Sequence, residues 1–582
     1  MYEAPLKDLL FVLHRQLRVQ QLAAYPQHAD YSPDVSGSIL EEAARFATEI
    51  LEPLNATGDR EGARWSAEGV TTPAGFRAAY QRYVGDGWTQ LGVDVAHGGQ
   101  GAPLVLATAV EEIWFANNVA FMLCPQLARG AVEALALAGS AELKQRFLAP
   151  LVTGQWAGTM NLTEPQAGSD LAAIRTRAVP DGDHYRLFGQ KIFITWGEHD
   201  LTENIVHLVL ARVEGAPPGV KGISLFVVPK FNGSERNDLR CVSIEHKLGI
   251  HASPTCVMSY GDGPGAVGYL VGEVNRGLEY MFIMMNSARL SVGVQGIGLS
   301  ERAFQQAAHW ARTRVQGRPV GGAAGPVPAI IEHPDVRRMV LSIKSGVEAM
   351  RALALYAALQ FDLAHAADDA AAQARAELLI PVVKGWSTEQ VNEHASTAVQ
   401  VHGGMGFIEE TGVAQTLRDA RITAIYEGTT GIQANDLLGR KLLRDGGKAL
   451  SDVVATLQAM LDQAASGAAT GTLVAEVQAV REALAQVLEC GRSLSARAAS
   501  SPAGAFGVAV PFLKLCGLAF SSTLLVHGAL LATTAADDAE FAAAKRQTAR
   551  FHCAHWLPHA RAWSATVLGG VDSLVEARTE LI

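Results

Sequence analysis

The stretch AIYEGTTG, residues 424–431, sets one carboxylate, Glu427, between an apolar run and a Gly-Thr-Thr-Gly turn. An acidic side chain in apolar company is costly to bury unless it is paired or keeps a proton. A carboxylate in such surroundings can have a pKa suited to proton abstraction near neutral pH. Glu427 is therefore a candidate catalytic base, and three further segments of the chain point the same way.

The chain has 582 residues, too many for a single core, and its length predicts about three to four structural units. Apolar residues make up 49% and charged residues 18%, a balance typical of globular proteins. The net charge is −10 and no run rich in Lys and Arg occurs. The sequence therefore does not indicate a nucleic-acid partner or an anionic membrane surface.

The six cysteines are scattered without CxxC spacing, which indicates reduced thiols in a cytosol-like compartment, so we expect a cytoplasmic location. Charged residues interrupt the apolar residues of the first twenty positions, and we expect no signal peptide there. Pro511 and Lys514 break the apolar segment Val508–Ala536, and several polar residues dilute the rest of it. That segment predicts a buried helix rather than a transmembrane span.

Four regions with different patterns of apolar residues follow one another along the chain. Residues 1–157 show helical periodicity, whereas residues 158–277 contain short strand-like runs separated by Gly, Pro, Asn and Asp. Helical periodicity returns in residues 278–445, and an Ala-rich helical segment occupies residues 446–582. This order predicts an α+β protein: a helical N-terminal domain, an antiparallel β domain, a helical bundle and an extra helical unit.

The first supporting segment is MNLTEPQAGSD, residues 160–170, at the junction of the first helical part and the strands. Its hydroxyls and exposed backbone N–H groups can bind a ring edge or a phosphate without a charged side chain. An ordinary connecting loop is the alternative interpretation.

The second segment is QKIFITW, residues 190–196, in which Phe193 could stack on a planar cofactor and Thr195 present a hydroxyl on the same face. A plain half-buried strand is the alternative. The third is VQVHGGMGF, residues 399–407, where paired glycines let a backbone or a cofactor approach closely. A helix C-cap explains the same glycines, and both interpretations can hold.

In wording, order and spacing, these segments resemble the signatures of the acyl-CoA dehydrogenase family over roughly residues 40–445. The N-terminal sequence and the C-terminal unit resemble a longer bacterial subgroup of that family. The resemblance implies a helical N-domain, a β-barrel-like middle and a helical bundle, with FAD held between domains and at a subunit interface. It also implies that Glu427 is the catalytic base. Ala288 occupies the position before Arg289 where some relatives carry the base instead.

The resemblance implies further site residues. Those expected to contact FAD are Met160, Leu162, Thr163, Gly168, Ser169, Phe193, Ile194, Thr195, Arg314, Gln316, Gln400, Gly403, Gly404 and Thr429. Those expected to contact the acyl-CoA are Ser169, Asn286, Arg289 and Gly428.

The chain departs from the family pattern at three places. Trp196 stands where small or polar residues are usual, which predicts a reshaped acyl or flavin pocket. The loop after Gln316 is one residue shorter than in the shorter relatives, and Gly431 replaces a common acidic residue although Gln433 is kept.

The implied reaction is α,β-dehydrogenation of an acyl-CoA to a trans-2-enoyl-CoA, with hydride transfer to flavin N5 and electrons passed to an electron-transfer flavoprotein. An acyl-CoA oxidase using O2 and a catalytically silent flavoprotein of the same fold are the alternatives. The subgroup resemblance implies a short to medium acyl chain, with a thioether-bearing chain as one candidate. We expect a homodimer, because the C-terminal unit can cover a surface that shorter relatives use to form tetramers.

A cluster of His552, Cys553, His555 and His559 has ligand-like residue types. Pro558 breaks the helical spacing and no acidic partner stands close by. We therefore predict a structural or surface role for the cluster rather than a metal site, and we expect no metal cofactor.

Overall fold

The computed structural model describes residues 2–321, 325–469, 471–534 and 538–581. The chain forms two compact units. The helical unit comprises Met1–Ala44, Pro103–Ala116 and Arg289–Ile582, and the sheet unit comprises Arg45–Ala102 and Asn117–Ala288. Each unit is assembled from segments that are not contiguous in sequence, so the contiguous domain ranges set out above stay predictions.

Helices precede and follow the strands, as the sequence predicts. The α-helices span Leu6–Leu10, Pro33–Phe46, Glu52–Glu61, Phe76–Gly85, Leu104–Ala138, Ala141–Leu143 and Ala149–Val152, then Gly277–Thr313, Pro334–Ala367, Ala370–His402, Val413–Ala420 and Thr430–Asp436, and finally Lys448–Gly467, Val474–Ser500, Pro502–Gly507, Ala509–Thr533, Ala539–His555, His559–Gly569 and Val571–Val575. The fold is therefore mostly helical, with N-terminal helices, a middle β part, C-terminal helices and additional helices after them.

The strands all lie in the sheet unit. They are β1 (Arg64–Ser66), β2 (Gly69–Thr71), β3 (Trp156–Asn161), β4 (Arg177–Asp181), β5 (His184–Thr195), β6 (Asn204–Val213), β7 (Ser224–Pro229), β8 (Phe231–Asn232), β9 (Glu235–Arg236), β10 (Leu239–Ile244), β11 (Thr255–Tyr260) and β12 (Ala266–Val271).

One eight-stranded sheet dominates this unit, in the order β10-β11-β5-β12-β7-β6-β3, with β4 paired to both β5 and β6. The first eight residues of β6 are buried, as expected for a strand covered on both faces, whereas buried residues alternate along β11. The sheet is not purely antiparallel as predicted, because β6 pairs in parallel with both β3 and β4. In sequence, β4, β5 and their loops lie between β3 and β6, and a long connection of this kind permits parallel pairing.

The helical unit is organised around long apolar helices. Pro334–Ala367 and Ala370–His402 pack on each other after a two-residue turn, in which the Asp369 carboxylate caps the second helix by accepting from the N–H groups of Ala371 and Ala372. Ala509–Thr533 packs against both of them and against the C-terminal helices. Most of its residues are buried, including the polar Ser521, Ser522 and Thr523, which is typical of a helix enclosed by others.

Within the described residues, two helices, Leu104–Ala138 and Ala509–Thr533, are by length and composition apolar enough to cross a membrane. However, 83% and 94% of their most apolar windows are buried inside the protein, as in a core helix. The second lies where the sequence predicts a buried helix, although Ala535 and Ala536 of the predicted segment lie outside the described residues.

Candidate active site

The loop after β3 in the sheet unit is held by one buried carboxylate. Glu164 is 3% exposed, and its Oε1 accepts hydrogen bonds from Lys191 Nζ at 2.8 Å and from the Thr176 backbone N–H at 3.0 Å. Its Oε2 accepts from the Arg175 N–H at 2.7 Å. The Lys191 ammonium also donates to the Leu162 carbonyl oxygen at 3.0 Å. These bonds fix the conformation of the 162–170 loop.

Electrostatics keep this pair charged at neutral pH. Burial by itself raises the pKa of Glu164, but the Lys191 cation and the hydrogen bonds to the carboxylate outweigh it and lower the pKa to about 2. Burial lowers the pKa of Lys191 to about 8, against the opposing attraction of Glu164. An ion pair that is shielded from solvent thus connects the loop to β5.

The predicted flavin residues of this loop divide into two groups. Gly168 and Ser169 are exposed, and Leu162 and Thr163 are half-buried. A Cβ added at Gly168 would meet no atom within 4 Å, so a ligand can approach the backbone there. Met160, in contrast, has its side chain in the core of the sheet unit, which leaves only its backbone to take part in a site.

A β-bulge in β5 alters the expected arrangement of Phe193 and Thr195. Lys191 pairs with Met258 and Ile194 with Cys256, so two residues of β5 stand opposite one residue of β11. Phe193 takes a left-handed conformation (φ 58°), and its side chain is 58% exposed. The bulge also frees the Ile192 N–H to donate to the Thr163 carbonyl oxygen at 2.9 Å. The aromatic ring is thereby presented to solvent beside the 162–170 loop.

The next residues of β5 differ from one another in burial. Ile194 is 2% exposed and packs in the core of the sheet unit, so only its backbone can meet a ligand. Thr195 is half-buried and pairs with Thr255. Trp196 is fully buried, and its indole N–H donates to the Ala120 carbonyl oxygen at 3.2 Å. The side chain of Trp196 thus packs inside the protein, and its effect on an acyl or flavin pocket stays a prediction.

In the helical unit, Glu427 lies in a tight turn just before the helix Thr430–Asp436. Glu427 and Gly428 both have positive φ, at 53° and 88°. Thr429 caps the helix, with its Oγ1 accepting from the Ile432 N–H at 3.3 Å. We refer to residues 426–429 as the Glu427 turn.

Two donors hold the carbonyl groups of this turn. Lys384 Nζ donates to the Gly428 oxygen at 2.6 Å, and Gln433 Nε2 donates to the same oxygen at 3.2 Å and to the Glu427 oxygen at 3.1 Å. Both side chains are completely buried. A left-handed glutamate persists only where its surroundings impose that conformation, and these contacts do so.

Burial raises the pKa of Glu427, while the cations Lys384 and Arg289 act against that rise. The predicted substrate residue Arg289 is 3% exposed and donates to Asp436 Oδ2 at 3.2 Å. Its Nε is buried without a hydrogen-bond partner in the described part of the chain, which is typical of a group that awaits a ligand. The helical unit therefore combines a carboxylate of raised pKa with a donor that has spare capacity.

The remaining predicted residues occupy different surroundings. Asn286 is half-buried in the sheet unit, on the helix Gly277–Thr313. In the helical unit, Arg314 Nη2 donates to Gln316 Oε1 at 3.4 Å, and both side chains are exposed. Gln400 is also exposed there.

The paired glycines end the helix Ala370–His402. Gly403 has φ 62° at the helix C-cap, so the capping interpretation holds. A Cβ at Gly403 or Gly404 would meet no atom within 4 Å, so close approach of a cofactor is open as well.

The histidine cluster has structural contacts. His552 is buried, with Nδ1 3.2 Å from Ser345 Oγ and Nε2 3.0 Å from Ser522 Oγ. His555 stacks on Phe551. No group of three potential metal ligands occurs among the residues that the structure describes.

Sequence reasoning missed the residues that support the site. The sequence patterns predicted no supporting role for Glu164, Lys191, Lys384 or Gln433. Lys384 carried a usable signal, because it stands alone in the apolar run LLIPVVKGW at 378–386, where a lysine must be buried with a partner. Lys191 carried a weaker one, next to the apolar residues of a predicted strand.

Family models match nearly the whole chain. The acyl-CoA dehydrogenase N-terminal domain matches residues 36–155, the middle domain 159–262 and the C-terminal domain 275–442. An acetyl-CoA dehydrogenase C-terminal-like domain matches residues 449–578.

Full-length relatives agree with these matches. A 3-methylmercaptopropionyl-CoA dehydrogenase of Ruegeria pomeroyi is 48% identical, over 99% of both chains. A broad-specificity linear acyl-CoA dehydrogenase of Mycobacterium tuberculosis is 36% identical, over 84% of this chain and 82% of the relative. An acyl-CoA dehydrogenase complexed with FAD from Bacillus anthracis shares the fold, with a TM-score of 0.77 and 20% identity over 96% of this chain and 91% of the other.

Proposed function

Since this chain belongs to the acyl-CoA dehydrogenase family of FAD-binding oxidoreductases, we propose that it removes hydrogen from the α and β carbons of an acyl-CoA thioester, with Glu427 as the base. The product is a trans-2-enoyl-CoA. The observation that carries the proposal is the half-buried Glu427, held in a left-handed turn with a raised pKa and with two cations near it.

The described residues fit a flavin. Phe193 offers an exposed aromatic ring on a bulged strand, and the neighbouring loop offers an open backbone at Gly168 and the hydroxyl of Ser169. An exposed aromatic ring of this kind can stack on a planar ligand. In the helical unit, the open backbone at Gly403 and Gly404 suits the adenine nucleotide part of the cofactor.

Bound FAD supplies the hydride acceptor of the reaction. Glu427 takes the α-proton, and its raised pKa places the carboxylate nearer to the range where a general base works best at neutral pH. The backbone N–H of Glu427 donates to the thioester carbonyl, so negative charge that develops on that oxygen meets a fixed donor. The left-handed turn fixes the direction of this donor because Lys384 and Gln433 hold the carbonyls beside it.

We further propose a short to medium acyl chain as the substrate, including 3-methylmercaptopropionyl-CoA. The relative of that name matches 99% of this chain at 48% identity. An electron-transfer flavoprotein as the electron acceptor, a homodimer and a cytoplasmic location complete the proposal. The β4-β5-β12-β7-β6 pairings return to β4, which supports a barrel-like middle domain.

Anaerobic titration with a panel of acyl-CoA thioesters tests the proposal. We expect bleaching of the oxidised flavin band near stoichiometric addition of butyryl-CoA or 3-methylmercaptopropionyl-CoA, with the enoyl-CoA identified by mass spectrometry. Rapid peroxide release in air would identify an oxidase instead. A yellow protein that no thioester bleaches would indicate the silent flavoprotein, and a protein unable to take up FAD would refute the proposal.

A further inference from the structure

Lys384 is a buried cation aimed at the Glu427 turn. It lies within the helix Ala370–His402 and has no solvent exposure. Its Nζ donates to the Gly428 oxygen at 2.6 Å, a short bond of the charge-assisted kind. The carboxylates Glu427 and Glu389 are its negative neighbours, and Arg289 adds a second positive charge. A lysine is seldom buried without an ionic partner at hydrogen-bond distance, so this placement calls for an explanation.

We propose that Lys384 is a positioning residue for the reaction: it holds the Glu427 turn through the Gly428 carbonyl and places a positive charge near the Glu427 carboxylate. This inference rests on the proposed role of Glu427 as the base. Lys384 need not touch the substrate or the flavin to act in this way.

The backbone geometry supports the first half of the proposal. Glu427 and Gly428 are consecutive residues with positive φ, and a side chain at position 427 disfavours that conformation. Lys384 and Gln433 lie on two different helices, and their donors meet on one oxygen atom. Gln433 also donates to the Glu427 carbonyl. The conformation of the base is therefore fixed from two sides.

The charges support the second half. Lys384 is the leading cation that opposes the effect of burial on Glu427, ahead of Arg289. Arg289 is engaged by Asp436, and Glu389 by the Thr430 hydroxyl and Lys514. Burial lowers the pKa of Lys384 to about 7, although Glu427 attracts its charge. Each of the two groups therefore affects the charge state of the other, and the pH dependence of the reaction depends on both.

The test is the pH profile of flavin reduction at saturating acyl-CoA, in holoenzymes shown by flavin content and circular dichroism to be folded. Removal of a nearby positive charge raises a carboxyl pKa by about one unit or more. For Lys384→Met we therefore expect the acid limb of the profile to move up by about one pH unit. On the acid side of the limb, where the rate is proportional to the ionised fraction of the base, flavin reduction should slow about tenfold for each unit of that shift.

Three further variants make the result specific. Lys384→Arg keeps the charge and should restore the acid limb to the wild-type position. Gln433→Leu removes only an uncharged donor, so it should slow flavin reduction without moving the limb. Lys441→Met removes a lysine that pairs with Glu377 in the same unit, and it should change neither.

An unshifted acid limb in folded Lys384→Met would overturn the proposal. If that variant does not fold, a limb displaced by one unit in Lys384→Arg would overturn it instead. Glu427→Gln, measured in parallel, separates the two levels of inference. Flavin reduction at the wild-type rate in Glu427→Gln would refute the proposed base, whereas an inactive Glu427→Gln beside an unshifted Lys384→Met would refute the role of Lys384 alone.

Discussion

Replacing Lys191 by methionine should destabilise the sheet unit and weaken FAD binding. The substitution leaves the Glu164 carboxylate 3% exposed and without its cation, at a site where Lys191 Nζ stood 2.8 Å away. Removing one partner of a buried ion pair costs about 3–5 kcal/mol. Backbone N–H groups of Arg175 and Thr176 still donate to the carboxylate, so we expect the lower end, about 3 kcal/mol.

The assay is urea unfolding of the apoprotein, followed by circular dichroism and by tryptophan fluorescence, with flavin content measured on the purified holoenzyme. Flavin content should fall as well, because Lys191 also holds the Leu162 carbonyl of the 162–170 loop. Lys221→Met, at an exposed position of the same unit, is the matched control and should change neither property. Lys191→Met protein that keeps its flavin and unfolds within about 0.5 kcal/mol of wild type would refute this account of the loop.

Three other outcomes are expected. The pKa of Glu164 is about 2, below its ordinary value of 4.5, so its stabilising contribution is complete above pH 4.5 and is lost as the pH falls towards 2. Glu164→Gln should therefore flatten the dependence of the unfolding free energy on pH in the acid range. Equal slopes of unfolding free energy against pH in the variant and the wild type would contradict this. Phe193→Gly should alter apoprotein stability by less than about 1 kcal/mol, because relief of the left-handed backbone strain offsets the lost contacts. The same change should weaken FAD binding, measured by fluorescence titration. An unchanged FAD affinity would count against a stacking role for Phe193. Arg351→Met should cost about 3–5 kcal/mol in denaturant unfolding, since it leaves the buried Glu112 and Glu301 carboxylates without their shared cation, whereas Asp8 keeps its ion pair with Lys545. Glu112→Gln should recover part of that loss, and additive effects of the two changes would argue against a network.

The sequence predicted the order of helices and strands because the spacing of apolar residues changes visibly at the strand region. It also indicated a turn next to Glu427, but placed that turn at residues 428–431, whereas the structure has the turn at 426–429 and begins a helix at Thr430. The antiparallel sheet was only partly right. The parallel pairing of β6 with β3 and β4 depends on contacts distant in sequence, which no local pattern encodes.

The supporting contacts could not be predicted for similar reasons. The bulge that exposes Phe193 breaks the two-residue period on which strand predictions rest, and phenylalanine at positive φ has no sequence signature. The partners of Lys191 and Lys384 lie 27 and 44 residues away along the chain. A buried lysine can be suspected from its apolar neighbours, but the carbonyl or carboxylate that accepts its hydrogen bond is known only from the fold.

Stopped-flow reduction of the flavin by one acyl-CoA in the absence of oxygen shows whether Glu427 removes the α-proton. Glu427→Gln should bind FAD normally and reduce it at least about 10²–10⁴-fold more slowly than wild type, because the general base is gone. Glu377→Gln, which changes a carboxylate paired with Lys441 in the same unit, should reduce its flavin at the wild-type rate. Rapid flavin reduction in Glu427→Gln would contradict the account and assign the base to another residue.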